Sequence, residues 1–353
     1  MENERHGILA GGNWILDYVK IIDVYPKQNA LANILGQNLG NGGAPYNVLK
    51  AIHKMGFTFP LEGIGKVGED EMGEEILRQC GEMAIDSRQI KTLKGTRTSY
   101  TDVMTVKNSG KRTFFHYRGA NAFLNEGDFD FSLSQARMFH LGYLLLLDQL
   151  DVIGKDGVSG AAKVFMKAKE RGLFTSADIV SEQSKRYQVV IPSSLPYLDM
   201  LFINEYEAKK LTDIKIYDKE GEVNMAKGFE AAEAILDMGV REWVIMHFAG
   251  GAIALNKNGQ KLFQPCVDVP PEIIKGTVGA GDAFTAGVLA GLHEEWGMKK
   301  SMELGVCVAG MSLLNNTASE GIIHWQECLK FGEELGFNTT EEHVAIEMRG
   351  NKT

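Results

Sequence analysis

Cysteine is scarce in this chain of 353 residues: Cys80, Cys266, Cys307 and Cys328 lie far apart, with no Cys-x-x-Cys pair and no histidine at ligand spacing. That excludes a disulfide framework and a structural zinc site, and predicts reduced, mostly buried thiols. Positive charge is also in deficit, since 37 Lys and Arg face 46 Asp and Glu for a formal net charge of −9. A nucleic acid or an anionic membrane is therefore not expected as the main partner. The first residues, charged from Met1 to His6 and then Gly-rich through Gly12, are too short for a secretory or spanning segment. These absences lead to an expectation of a cytoplasmic chain acting on small molecules. There is no internal repeat, no low-complexity run, and no Walker A sequence with its Lys-Ser/Thr end.

What is present is an ordinary globular composition, 44% hydrophobic and 24% charged, on a chain long enough to bury a proper core. Apolar runs at Gly7 to Ala10, Phe59 to Ile64, Met138 to Leu146, Leu201 to Ile203 and Trp243 to Met246 read as strands. Helical patterns fall between them, at Ala44 to Met55, Glu71 to Glu82, Gly157 to Arg171, Glu205 to Leu211, Asn224 to Met238, Asp282 to His293 and Lys300 to Leu314. This alternation predicts an α/β fold, doubly wound, with a mainly parallel sheet flanked by helices. Residues 17–40 and 95–121 break the rhythm. In the second, Tyr100 to Val106 and Thr113 to Tyr117 alternate around Asn108-Ser109-Gly110, a hairpin signal. We expect one domain over 1–353 with two inserts forming a small β-sheet lid. Asn338 to Thr353 is polar and expected to fray, with Val344-Ala345-Ile346 as a patch that could dock.

The run from Lys275 to Phe284 places three small residues and a carboxylate, Gly279-Ala280-Gly281-Asp282, at the entrance to an apolar helix. Glycines let successive amides converge on an anion, and the helix dipole points its positive end at the same place. A rival phosphate signal, Gly63-Ile64-Gly65-Lys66-Val67-Gly68 with Asp86 downstream, resembles a dinucleotide fingerprint. Glu69-Asp70-Glu71 follows it directly, so negative charge occupies the place a pyrophosphate would need.

Gly276-Thr277-Val278-Gly279-Ala280-Gly281-Asp282 resembles the Asp-Thr-x-Gly-Ala-Gly-Asp signature of the PfkB carbohydrate kinases, the ribokinase-like family, with Gly276 in place of the first Asp. Gly65 to Gly73, Gly11 to Asp17, Asn41 to Asn47 and Asn204 to Glu207 resemble further segments of that family in the same order. The resemblance implies a ribokinase-like fold and an ATP-dependent kinase with Mg²⁺. Asp282 would be the catalytic base, and the amides of Gly279, Ala280, Gly281 and Asp282 would form the anion hole for the transferred phosphoryl group. Asn13, Asp17, Gly42, Gly43 and Asn47 would bind the sugar, since a carboxylate and a carboxamide can each meet two hydroxyls. In the lid hairpin the resemblance adds His116, Arg118 and Asn121, with Arg118 able to fork onto sugar oxygens or a carboxylate.

Asn204 and Glu207 would orient Mg²⁺ and its waters, although Asn at a helix start with Glu three residues on is also a capping box. Thr277, His247 and Ala249 would face the nucleotide, in a segment where many relatives carry Thr-x-Gly. Gly276 offers no side chain to a monovalent cation, so potassium activation is not expected. Phe174 to Asp178 holds the place of a family strand but lacks its Asn and Arg. Gly42-Gly43-Ala44-Pro45 is more similar to fructokinases and 2-keto-3-deoxygluconate kinases than to ribokinases, which favours a fructose-like hexose. The alternatives are a nucleoside kinase of the adenosine kinase type and a sugar-binding or regulatory protein without transfer activity. An exposed lid edge could pair with a second copy.

Overall fold

The computed structural model describes residues 5–217 and 223–338. The expected docking patch at Val344 to Ile346 lies outside them. Two sheets organise the chain. Chain order runs β1 (Ile8–Gly12), β2 (Ile15–Ile22), β3 (Ile34–Gly42), β4 (Leu61–Gly68), β5 (Ile85–Leu93), β6 (Ser99–Val106) and β7 (Arg112–Tyr117). There follow β8 (Met138–Leu144), β9 (Phe174–Ile179), β10 (Met200–Asn204), β11 (Trp243–Phe248), β12 (Gly251–Asn256) and β13 (Lys261–Pro265). The larger sheet has nine strands in the order β13-β12-β11-β10-β9-β8-β1-β4-β5. Its pairings are parallel except at one edge, where β12 runs antiparallel to both β11 and β13.

Alternation along β1 shows why both faces are covered. Ile8 and Ala10 enter one apolar cluster and Leu9 enters the other. The first cluster takes residues from helices α1 (Ala44–Lys54), α2 (Glu71–Glu82), α7 (Ala280–His293), α8 (Met298–Ser312) and α9 (Trp325–Leu335). The second takes residues from α3 (Gly160–Glu170), α4 (Tyr187–Val190), α5 (Glu205–Thr212) and α6 (Met225–Asp237). The sheet is thus doubly wound, as the alternation of strands and helices predicts.

The second sheet has four strands in the order β3-β2-β6-β7 and is built from the two stretches that break the rhythm of the sequence. The expected hairpin is β6–β7, antiparallel, while β2 and β6 run parallel. This small sheet stands over one end of the large one as a lid.

Strand order fixes where a ligand can sit. From β1 the chain winds outward through β4 and β5, and after the lid it winds the other way through β8, β9 and β10. The order reverses between β1 and β8, whose ends pair as Gly12↔Gly142. In open α/β sheets such a reversal is where adjacent loops diverge beyond the carboxyl ends of the strands and ligands bind. Asn13, Tyr143, Asp178 and Asn204 all lie at this end of the sheet.

Candidate active site under the lid

Helix α7 begins at Ala280, two residues before the expected start, because Gly279 adopts a left-handed conformation (φ 72°) as its N-cap. A side chain there is not tolerated, since a Cβ would sit 2.8 Å from Ala318 Cα. With no side-chain cap, the amides of Gly281 and Asp282 have no partner within the helix and lie at its positive end, while the Ala280 amide donates to Thr277 O at 3.5 Å. Asp282 is the third helical residue and is buried. The anion cradle and the carboxylate expected beside it therefore share one turn.

Two donors converge on a single oxygen of that carboxylate. Asn47 Nδ2 donates to Asp282 Oδ2 at 2.6 Å, and the Tyr143 hydroxyl donates to the same atom at 2.7 Å. Asn47 is in turn held by Asn41, whose Nδ2 donates to Asn47 Oδ1 at 2.6 Å and also contacts Ser319 Oγ at 2.6 Å. Burial pushes the Asp282 carboxyl up to about 7, helped by the charge of Asp178 and opposed by the bonds from Asn47 and Tyr143 and by His140. A group at that value can exchange a proton near neutrality.

Asp17 stands on the inner face of the lid. Register aligns Asp17, Thr101 and His116 in one row across β2, β6 and β7. Thr101 Oγ1 and His116 Nδ1 are 3.1 Å apart, and a hydrogen bond from Thr101 lowers the Asp17 carboxyl. Burial outweighs that bond and, with the Asp282 charge, raises Asp17 to about 7. Its carboxylate rests against Gly42, where a Cβ would lie 2.5 Å from Asp17 Cγ. Gly43, at φ 84°, lets the backbone turn into α1 beside Asn13. Burial and the neighbouring Arg118 lower His116 to about 4, so its imidazole is neutral, and its Nε2 is buried without a hydrogen-bond partner. Arg118 Nη1 lies 3.3 Å from Asp148 Oδ1, an ion pair without hydrogen-bond geometry.

Other residues singled out in the sequence are placed differently. Asn13 accepts from the Tyr143 amide at 2.7 Å and donates to Leu146 O at 3.1 Å, so it shapes the loop after β8. Asn121 is fully buried and spends its amide on the backbone of Trp14, at 3.3 and 3.1 Å. Both amides are thus tied to the backbone through one donor and one acceptor bond each. His247 packs on the start of α7, since a Cβ on Gly281 would lie 3.0 Å from His247 Cε1. Burial lowers it to about 4, so it presents a neutral ring to the cradle. Ala249 is exposed in the turn between β11 and β12, and Thr277 is exposed and accepts a hydrogen bond from Arg112 of the lid.

Asn204 and Glu207 form the capping box that the sequence allowed. Asn204 Oδ1 accepts from the Glu207 amide at 2.9 Å, and Glu207 Oε2 accepts from the Asn204 amide at 2.9 Å. Glu207 Oε1 also accepts from Ser181 Oγ at 2.7 Å and from Asn204 Nδ2 at 2.9 Å. Burial lifts this carboxyl to about 8. Among the described residues no three His, Cys, Asp or Glu side chains form a group that could hold a metal ion. With their oxygens engaged in the cap and by Ser181, Asn204 and Glu207 would meet Mg²⁺ only through its waters, as the resemblance implies.

Sequence reasoning missed Tyr143, Asp178, His140, Thr101, Asn41 and Arg112. Asp178 is buried, 3.6 Å from His140 Nε2 through Oδ2, and its Oδ1 abuts Gly142 without a hydrogen-bond partner. Tyr143 had a signal. The apolar run from Met138 to Leu146 reads as strand throughout, yet the strand ends at Leu144 and puts a tyrosine at its carboxyl end, where such sheets bind ligands.

Comparison with known proteins agrees with this geometry. The family model described as "pfkB family carbohydrate kinase" matches residues 14–325. A 5-dehydro-2-deoxygluconokinase of Geobacillus kaustophilus is 24% identical over 298 residues, covering 80% of this chain and 81% of that protein. A probable chloroplastic fructokinase-6 of Arabidopsis thaliana is 29% identical over 300 residues, covering 80% and 71%. Among solved structures, Arabidopsis thaliana ribokinase complexed with ribose and ATP superposes with a TM-score of 0.75 at 18% identity, covering 93% of this chain and 99% of that one. Among the described residues no helix is long and apolar enough to cross a membrane. With the matched model spanning most of the chain and the cradle and its carboxylate meeting in one turn, the chain belongs to the pfkB family of carbohydrate kinases, phosphotransferases with an alcohol group as acceptor.

Proposed function

We propose that the protein transfers the γ-phosphoryl group of ATP to a primary hydroxyl of a free sugar or sugar acid, with a fructose-like hexose preferred. The observation that carries this reading is that the Asp282 carboxylate shares the first turn of α7 with its uncapped N-terminus and lies within charge interaction of Asp17, in the polar lid row with Thr101 and His116. In the step we propose, the acceptor hydroxyl oxygen attacks the γ-phosphorus and a new P–O bond forms. The bond to the bridging oxygen of ADP breaks, and ADP leaves with that electron pair. The hydroxyl proton passes to Asp282, while the amides of Gly279, Ala280, Gly281 and Asp282 hold the charge on the phosphoryl oxygens. Mg²⁺ would be carried by the nucleotide phosphates and shield their charge, its waters turned toward Asn204 and Glu207.

The lid favours hydroxyl recognition over base stacking. Alternation sets Tyr18, Tyr100 and Tyr117, which contact one another, on the face opposite Asp17, Thr101 and His116. Phe114 shares the inner face with His116 but is exposed on the edge strand, so the buried polar part of that face is Asp17 and Thr101. Four free cysteines suit a reducing cytoplasm. The edge strands of the lid expose Ile34, Leu35 and Leu39 on β3 and Phe114, Phe115 and Tyr117 on β7, a surface suited to a second copy of this chain. Sedimentation at increasing protein concentration tests that pairing, and a monomer throughout would refute it.

The test of the reaction is ADP release by the purified protein with ATP and Mg²⁺ across hexoses, pentoses, sugar acids and nucleosides, with the product located by ³¹P NMR. The expected result is a phosphate ester on a primary sugar hydroxyl and the highest kcat/KM for a ketohexose or its acid. Faster turnover of a nucleoside than of every sugar would refute it.

A further inference from the structure

Asp282 has two oxygens, and the fold treats them differently. Asn47 Nδ2 and the Tyr143 hydroxyl both donate to Oδ2, so that atom is already held from two sides. Asn47 cannot drift, because its own Oδ1 is tied to Asn41. Tyr143 is fixed by its backbone, whose amide donates to Asn13 Oδ1 while Asn13 Nδ2 holds Leu146 O on the far side of the same loop. Asn13 and Asn47 thus both serve the orientation of one carboxylate.

We infer that Tyr143 is a positioning residue for the base, holding Asp282 through Oδ2 so that Oδ1 is the oxygen that receives the proton of the acceptor hydroxyl. This deepens the kinase reading and rests on it. A phenol is suited to the task because it stays protonated here. Burial and the charges of Asp282, Asp178 and Asp17 raise the Tyr143 hydroxyl well above its usual range, so it remains a donor throughout the working pH. Donation to the ionised carboxylate favours the ionised form and counters what burial does to Asp282.

The groups that face Asp282 come from several elements. Asp178 on β9 disfavours its ionisation and His140 on β8 favours it. Asp17 on β2 interacts with it by charge, and His247 on β11, neutral by burial, packs at the same helix start. Tyr143 and Asn47 are the two that bond to the carboxylate directly. Removing the phenol hydroxyl leaves the opposing charges in place, so the carboxyl must rise.

The experiment is the pH dependence of kcat for Tyr143→Phe and for the protein carrying 3-fluorotyrosine at position 143. Deleting one charge-assisted hydrogen bond should move the acid limb up by about one pH unit and cut kcat roughly tenfold below it. The fluorinated phenol, a stronger donor of nearly the same shape, should move the limb down and keeps the test alive if the phenylalanine variant folds poorly. An acid limb unmoved in both proteins overturns the inference, and so does a variant in which only KM for the sugar changes. Titration of ¹³Cγ-labelled Asp282, identified by its loss in Asp282→Asn, gives the same answer without turnover. A wild-type protein that phosphorylates no sugar would sink the kinase reading, whereas an active one with an unmoved Asp282 titration would sink only the role of Tyr143.

Discussion

Replacing Asp282 by asparagine should remove turnover and, above neutral pH, make the protein more stable. Burial raises this carboxyl from 3.8 to about 7 in the folded chain. Between those values the native state keeps a proton that the unfolded chain has released. Stability contributed by this group is therefore highest below pH 4, falls as pH rises toward 7, and stays low above it. At about 1.4 kcal/mol per pH unit, the ionised carboxylate costs the fold on the order of 4 kcal/mol at pH 8. Asparagine carries no such charge, but it fits the donors Asn47 and Tyr143 less well than a carboxylate, which gives back about 1 kcal/mol. A net gain of about 2–3 kcal/mol, or roughly 3–5 °C in Tm, follows at pH 8, shrinking to nothing near pH 4. Asp17, also raised to about 7 partly by the Asp282 charge, is relieved of that charge in the variant, which adds to the gain in the same direction. Thermal melts of wild type and Asp282→Asn from pH 4 to 9 make the measurement. A variant that is less stable at pH 8, or whose advantage does not vary with pH, would refute the reasoning.

Gly276→Asp restores the missing acid of the family signature but should not create a potassium-activated enzyme. A Cβ at this site would meet Asn316 Cα at 2.9 Å and Asn315 O at 3.1 Å, both on backbone that cannot easily yield, so a loss of about 1–3 kcal/mol on thermal melting and no gain with K⁺ are expected. Gly43→Ala combines positive φ with overlap on the Asn13 backbone and should destabilise by at least 2 kcal/mol while raising KM for the sugar, measured by melts and initial rates. Asn204→Ala opens the capping box at α5, so a loss of about 1 kcal/mol is expected by denaturant titration, together with a weaker response of rate to Mg²⁺.

Much of the architecture was legible because central strands of a parallel sheet are apolar on both faces. Met200 to Ile203 and Val244 to Met246 are buried without interruption, so their runs show directly in the sequence. Edges were not legible. Strand β5, Ile-Asp-Ser-Arg-Gln-Ile-Lys-Thr-Leu, is half exposed at the sheet margin and mixes polar residues into its pattern. Helix α9 buries little more than Cys328 and Gly332 of its own residues, so its apolar stripe is thin. The site divides the same way. Asp282, Asp17 and the glycines sit in short local motifs, whereas Asn47 meets Asp282 across 235 positions and Tyr143 meets it across 139, contacts that no local pattern records. Asn204 and Glu207 illustrate the reverse case, where one spacing served two readings and hydrogen bonds show that a cap is formed.

Asp282 as the proton acceptor of the transfer step is tested by one comparison. Rates of sugar phosphorylation by wild type and Asp282→Asn should be measured at pH 8 with ATP and Mg²⁺, alongside calorimetric titration of the same sugar into each. Loss of about 10²–10⁴-fold in kcat with sugar affinity kept within a few-fold is the predicted result. An Asp282→Asn protein that phosphorylates the sugar at close to the wild-type rate would contradict it.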